Sequence, residues 1–450
     1  MPKKKTALTI EERLQQALVP ADEQPYEVPE NWVWVRLGAI AEIVTGGTPS
    51  KKHPEYYGGN FPFYKPSDLD QGRLTYDASE YLSEEGKNVS RIIPKNSTAV
   101  CCIGSIGKCG YLMCEGTTNQ QINSAIPKIN SLCLYYYLCT ENFVQDLLSM
   151  ASATTIAIVN KSKMESCAFP LPPLSEQQRI VERIEELLAK LDEAKERLQE
   201  VADSFAVRKA AILHNAFTGE LTKQWRRENG VSDESWEESN FGKFTVSQYG
   251  YTEKAHWEKV GPKFLRITDI QDNKVDWDEV PWCPIDEAGM KQYAVQIGDI
   301  MIARTGATTG KSYLICDDVE AVFASFLIRL KVVDKNLDYN YLYGYMQSED
   351  YWRQITDFSS GIAQPGVNAN KLKQIKFKCP SLPEQHEIVR LIDDLLARER
   401  AAQQAAEQAL ASIDLMKKSI LARAFRGELG TNKASEASAL ELLKQVLAEN

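Results

Sequence analysis

Within its 450 residues the chain carries one long segment twice. Leu174-Ser-Glu-Gln-Gln-Arg-Ile-Val-Glu-Arg-Ile-Glu-Glu-Leu-Leu188 is matched by Leu382-Pro-Glu-Gln-His-Glu-Ile-Val-Arg-Leu-Ile-Asp-Asp-Leu-Leu396, with Glu384 following Glu176 by 208 positions. Farther on, Ile212-Leu213, Ala216-Phe217 and Gly219-Glu-Leu221 meet Ile420-Leu421, Ala424-Phe425 and Gly427-Glu-Leu429 at the same spacing. Upstream, Val159-Asn160 and Phe169 meet Val367-Asn368 and Phe377. A constant offset over the whole stretch leaves no room for an insertion, so the segment is a unit of fixed length used twice. Between the copies the likeness weakens but keeps its order. Phe63-Tyr-Lys-Pro-Ser-Asp-Leu69 resembles Phe264-Leu-Arg-Ile-Thr-Asp-Ile270, and Gly104-Ser-Ile-Gly107-Lys108 resembles Gly306-Ala-Thr-Thr-Gly310-Lys311. The order is variable region, helix, variable region, helix. Two units are too few for a solenoid, which favours a pseudo-twofold arrangement.

The repeated segment reads as helix. Ser175 with Gln178 has the form of a capping box, and Gly219 stands where a helix stops. Ile184, Leu191, Leu198 and Phe205 recur every seven residues, as do Leu187, Ala194 and Val201. The second copy places Ile392, Glu399, Ala406 and Ile413 on one register, with Leu395, Ala402 and Ala409 on the other. That spacing predicts a coiled-coil seam, with large residues of one helix facing alanines of the other. The expected interface is Ile184, Leu191, Leu198, Phe205, Ile392, Ala406 and Ile413. About 40 residues at 1.5 Å each make a rod of roughly 60 Å. The competing reading is two separate surface helices on two domains.

Length predicts about three domains, or two with connecting structure. Hydrophobic residues at 43% and charged residues at 25% exclude fibrous, disordered and small disulfide-scaffold classes. The net charge of −10 excludes a generally basic nucleic-acid binder, so any such contact is a local patch or is helped by a partner. Ten cysteines without C-x-x-C spacing point to reduced thiols rather than a zinc site. The opening Met1-Pro-Lys-Lys-Lys runs into Glu11-Glu-Arg-Leu-Gln-Gln, unlike a signal peptide, and no run of about 18 apolar residues suggests a membrane span. The expectation is a soluble cytoplasmic chain.

Short apolar runs punctuated by glycine fill the variable regions. Ala99-Val-Cys-Cys-Ile103, Val295 to Ile302 and Val322 to Val333 predict strands, and Tyr135 to Met150 and Tyr339 to Ile355 predict a helix each. The expected division is an N-terminal tail with a short helix (1–30), a first variable domain (31–173), a first helical spacer (174–222), a linker (223–240), a second variable domain (241–381), a second spacer (382–430) and a C-terminal tail helix (431–450).

Catalytic signatures are hard to find. A phosphate loop needs four residues between its glycines, whereas Gly306 and Gly310 enclose three and the duplicate is shorter. His53, His214, His256 and His386 are scattered, and neither a Gly-x-Ser-x-Gly elbow nor an Asn/Asp-Pro-Pro-aromatic methylation motif occurs. What remains suits a polyanion. Lys65 and Arg266 sit at equivalent places, each before Ser-Asp or Thr-Asp, and Arg304-Thr305-Gly306 with Gly310-Lys311 combines hydroxyls and cations on one turn. Against this, residues 26–160 hold 10 Lys+Arg and 13 Asp+Glu, so a variable region alone is expected to bind DNA weakly.

The duplicated Leu-x-Glu-Gln-x-x-Ile-Val helix ending in Ala-Phe-x-Gly-Glu-Leu, preceded by Pro173 in the first copy, resembles the specificity (S) subunit of type I restriction–modification enzymes. Pro29-Glu-Asn-Trp-Val-Trp-Val-Arg-Leu-Gly38, Gly46-Gly-Thr-Pro49, Thr118-Asn-Gln120 and Arg304 to Lys311 fit the same family, and Thr222-Lys-Gln-Trp-Arg226 is similar to its enterobacterial subgroup. In the second copy Gly430-Thr-Asn-Lys replaces that extension. The resemblance implies an α+β chain: two α/β target-recognition domains in a tandem pseudo-twofold repeat, separated by two long antiparallel coiled-coil helices. Each domain would read one half of a split, asymmetric double-stranded DNA target, and the helices would set the gap. Two methyltransferase (M) subunits and two restriction (R) subunits are the implied partners. S-adenosylmethionine, ATP and Mg2+ are the implied cofactors, used by those partners and not by this chain. The expected DNA contacts are Lys65, Lys108, Gln120, Arg266, Arg304, Thr305 and Lys311. The alternative is a coiled-coil scaffold without DNA readout.

Overall fold

The computed structural model describes residues 9–71, 74–152, 157–271, 273–359 and 366–449. The chain divides into two compact units, one of residues 1–198 with 408–450 and the other of residues 199–407.

In the first unit a five-stranded sheet runs in the order Ala41–Thr45, Ile122–Pro127, Thr98–Cys101, Cys109–Leu112, Leu74–Thr75. Its pairings are antiparallel except the last. Ile43, Val100 and Ala125 turn into a core shared with the helices Ser131–Leu138 and Glu141–Ser149. A shorter parallel pairing sets Phe63 and Tyr64 against Thr117 and Thr118.

The second unit repeats this frame. Its four-stranded sheet runs Thr245–Tyr249, Leu327–Val332, Ile300–Ala303, Ser312–Leu314, all antiparallel. The register is the same in both. Val44 faces Ser124 and Val100 faces both Asn123 and Cys109, as Gln248 faces Arg329 and Ile302 faces both Ile328 and Ser312. The parallel pairing recurs too, with Leu265 against Phe323 where Tyr64 meets Thr118.

The helices expected over 135–150 and 339–355 are each two helices. Thr140 interrupts the first, its hydroxyl accepting the Phe143 N–H at 3.3 Å to start Glu141–Ser149. In the second, Tyr339–Tyr345 ends before Ser348, and Glu349–Ser359 follows. The strand expected from Val295 starts only at Ile300, because Gly298 adopts φ 90° and Asp299 folds back on Gln296 at 3.0 Å. The segment read as a linker is ordered, with a helix at Lys223–Glu228 and a strand at Glu237–Asn240 pairing with Lys376–Cys379.

The first repeated segment forms Leu174–Asp203 and Phe205–Thr218, ended by Gly219 at φ 88°. Between them Ser204 turns its hydroxyl onto the Glu200 carbonyl at 2.7 Å, a back-bond that loosens a helix. The second segment is one helix, Leu382–Ala424. The capping box at Ser175 does not form. The helix starts one residue earlier, and Gln178 turns instead to Glu182 and Asn130.

Each unit takes the start of one repeated segment and the end of the other. Ile180, Val181, Ile184 and Leu188 share the first core with Ala424 and Phe425, and Lys417 reaches Asp192 at 2.6 Å. Leu213 and Ala216 share the second core with Ile388 and Ile392, and Arg208 meets Glu399. The heptad residues therefore divide. Ile184 and Ile392 belong to the globular cores, Ala406 and Ile413 are buried, and Leu191, Leu198 and Phe205 are half-buried. Among the described residues no helix is long and apolar enough to cross a membrane.

Candidate nucleic-acid interface

The two glycine-rich motifs close their hairpins with the same pair of backbone bonds, the second across one more residue. Gly107 N–H donates to the Cys101 carbonyl at 2.9 Å and Cys101 N–H to Lys108 at 2.8 Å; Gly310 donates to Ala303 at 2.8 Å and Ala303 to Lys311 at 2.9 Å. Those amides are spent inside the turn, so they do not form a ring around a phosphate. Gly107 (φ 85°) and Gly310 (φ 87°) are left-handed, and a Cβ on either would come within 2.7 Å of Val144 or Ile355. We expect Gly310→Ala to destabilise the protein by about 2–4 kcal/mol, from backbone strain and overpacking together. A urea midpoint unchanged from that of the parent chain would contradict this.

Lys65 and Arg266 also occupy matching turns. Each has extended backbone and heads a short 3-10 helix, and its N–H donates to the carboxylate three residues on, Lys65 to Asp68 at 2.7 Å and Arg266 to Asp269 at 2.8 Å. Their charges are already answered. Lys65 Nζ lies 2.7 Å from Glu80, and Arg266 holds both oxygens of Asp269 at 3.1 and 2.7 Å while its guanidinium lies over the Trp257 ring. Lys108 Nζ is 2.5 Å from Asp70. Lys311 is exposed, with no carboxylate partner among the described residues.

Arg304 shares that lack of a carboxylate with Lys311 and differs from Lys65, Lys108 and Arg266. Its guanidinium donates to the Ser325 carbonyl at 3.2 Å and lies over the Tyr249 ring, 5.0 Å from the centroid, with no carboxylate among the described residues. Thr305 beside it bridges to Gly366. Gln120 is exposed, its amide oxygen accepting the Thr48 hydroxyl.

The feature that sequence reasoning passed over is the Glu-Gln pair that opens each long helix. Glu176 and Glu384 are both 0% exposed. Glu384 Oε1 accepts the Thr222 hydroxyl at 2.7 Å, Arg226 Nη1 at 2.8 Å and Trp236 Nε1 at 3.0 Å. Glu176 accepts Trp32 Nε1 at 2.7 Å, Asn432 Nδ2 at 2.8 Å and the Thr431 hydroxyl at 3.2 Å. The neighbouring amides do matching work. Gln177 accepts Asn130 N–H and donates to the Pro172 carbonyl, while Gln385 accepts Asp338 N–H and donates to Pro380. These duplicated residues are buried anchors that fix each helix to its unit. The signal was available: Trp32 and Trp236 recur with the motif, and Arg226 stands in the extension after Gly219.

All ten cysteines are free, and burial pushes the Cys102 thiol up to about 12 and Cys283 to about 11. Among the described residues no three His, Cys, Asp or Glu side chains gather as metal ligands.

Residues 29–203 and 235–409 each match the family described as the type I restriction modification DNA specificity domain. The chain is 27% identical over 458 residues to the type I restriction enzyme EcoBI specificity subunit of Escherichia coli, covering 94% of this chain and 93% of that one. It is 24% identical over 449 residues to the EcoKI specificity subunit of Escherichia coli strain K12, covering 94% and 96%. Its fold is similar to the HsdS subunit from Thermoanaerobacter tengcongensis, with TM-score 0.67, 19% identity, and coverage of 90% of this chain and 99% of that one. A repeated strand frame, a repeated buried helix anchor and two matches to one domain family agree: the chain belongs to the type I restriction–modification DNA specificity family.

Proposed function

We propose that this chain is the DNA-reading subunit of a type I restriction–modification complex, and that each unit reads one half of a split, asymmetric target. The observation that supports it best is one frame used twice with unlike side chains upon it. Duplicated strands in the same register place Cys102 and Gln120 in one unit where the other has Arg304 and Ser325, while the cations Lys65 and Lys108 are matched by Arg266 and Lys311. Chemistry on the DNA then falls to partners. Two methyltransferase subunits supply N6-adenine methylation with S-adenosylmethionine, and two restriction subunits act with ATP and Mg2+, all in the cytoplasm. The net charge of −10 fits that division, because cations closing around the DNA must come largely from the partners.

We further propose that the two repeated helical segments pair antiparallel as a coiled coil and set the distance between half-sites. Lys417–Asp192 and Arg208–Glu399 support this, since the higher-numbered partner falls as the lower one rises. Co-expression with the cognate methyltransferase, followed by mapping of N6-methyladenine, tests the reading. A split motif that disappears without this chain is expected. No methylation from a folded, assembled complex would favour a scaffold without DNA readout. Insertion of one helical turn after Leu198 is expected to lengthen the gap and leave both half-site sequences intact; an unchanged gap would sink the ruler.

A further inference from the structure

The two units share one backbone corner and fill it with opposite chemistry. In the first, Cys102 N–H donates to the Gln121 carbonyl at 2.7 Å and Val159 N–H to the Cys102 carbonyl at 2.9 Å. In the second, Arg304 N–H donates to Phe326 at 3.1 Å and Val367 N–H to Arg304 at 2.9 Å. The strand register makes these the same positions: Cys102 corresponds to Arg304, Gln121 to Phe326, Gln120 to Ser325 and Thr45 to Tyr249. A buried thiol, 2% exposed, thus stands where the other unit has a half-exposed guanidinium. An exposed carboxamide, Gln120, stands where the other has Ser325, and Phe326 is 59% exposed beside Arg304.

A frame held this constant, with side chains this different, is where two reading heads can diverge without losing their fold. The side chains are also suited to base edges. Arg304 has a guanidinium steadied by the Tyr249 face and the Ser325 carbonyl, and no carboxylate competes for its remaining donors among the described residues. That fork matches the O6 and N7 acceptors of guanine in a major groove, while a glutamine amide matches N6 and N7 of adenine. Lys65, Lys108 and Arg266 must first give up Glu80, Asp70 and Asp269.

We propose that this shared corner determines base identity in each half-site, with Arg304 reading a guanine in one half and Gln120 an adenine in the other. The assignment rests on the DNA-reading function proposed above. The test is N6-methyladenine mapping with the co-expressed methyltransferase complex, for the parent chain and for Arg304→Gln, Arg304→Lys and Gln120→Ala. For both Arg304 variants, discrimination at one guanine should fall on the order of tenfold, in one half-site only. Gln120→Ala should relax an adenine in the other half alone. Arg304→Lys keeps the charge and loses the fork, so a motif fully preserved by it would assign Arg304 to the phosphate backbone and overturn the proposal. Changes in both halves together, or a half-site altered by the Arg304 variants that contains no guanine, would also overturn it. If Arg304→Gln does not fold, the lysine variant carries the same decision. A parent complex that methylates no split motif would instead remove the function itself, and the corner assignment with it.

Discussion

Replacing Glu384 by alanine is expected to cost the second unit about 3–5 kcal/mol, a large part of the stability of an ordinary domain. The carboxylate is fully buried and accepts three donors from residues 222–236, one of them the guanidinium of Arg226, itself only 5% exposed. Alanine leaves a buried cation whose remaining carboxylate, Asp233 at 3.0 Å, is mostly in solvent. Glu384→Gln should cost less, because an amide oxygen still accepts from Thr222 and Trp236. Combining Glu384→Gln with Arg226→Met should recover part of the loss, since neither partner then carries an unpaired charge. Urea unfolding of the three variants measures this. A Glu384→Ala chain within 1 kcal/mol of the parent, on the scale of a surface substitution, would show that Glu384 is no anchor.

Removing the residues after Leu429 is the second change expected to be severe, and the damage should fall on the first unit. Thr431 and Asn432 supply two of the donors to Glu176, and Arg179 binds Glu436 at 2.8 Å. Beyond them the helix Ala439–Ala448 buries Ala439 and Leu443 in the same core as Trp32 and Ile40. The core cannot close over that gap, and the loss of a buried leucine alone is worth about 2–5 kcal/mol. Limited proteolysis read by mass spectrometry should find new cleavage between residues 31 and 171, with residues 241–381 still protected. Equal protection of both regions would mean the tail is dispensable.

Much of this architecture was legible because duplication makes its own internal comparison. The repeated helix, its glycine stop and the likeness of Lys65 to Arg266 follow from spacing alone. The breaks at Thr140 and Ser204 were not legible, because one hydroxyl choosing between solvent and a backbone group decides them. Nor was the role of Glu176 and Glu384. A glutamate at a helix start reads as a charge favoured by the helix dipole, and only the fold shows donors from distant segments converging on it. The candidate interface was legible as residue types, whereas the correspondence of Arg304 with Cys102 needed the strand register.

The first unit needs residues 408–450 to complete its core, yet the whole of residues 199–407 stands between those two parts. Synthesis at about 5–20 residues per second delays that closure by roughly 10–40 s. By the end of that interval the second unit has every residue it requires, while the first still lacks Ala424, Phe425, Ala439 and Leu443 of the core they share with Ile40, Leu134 and Ile180. The part of the molecule translated first is thus the part whose core is completed last.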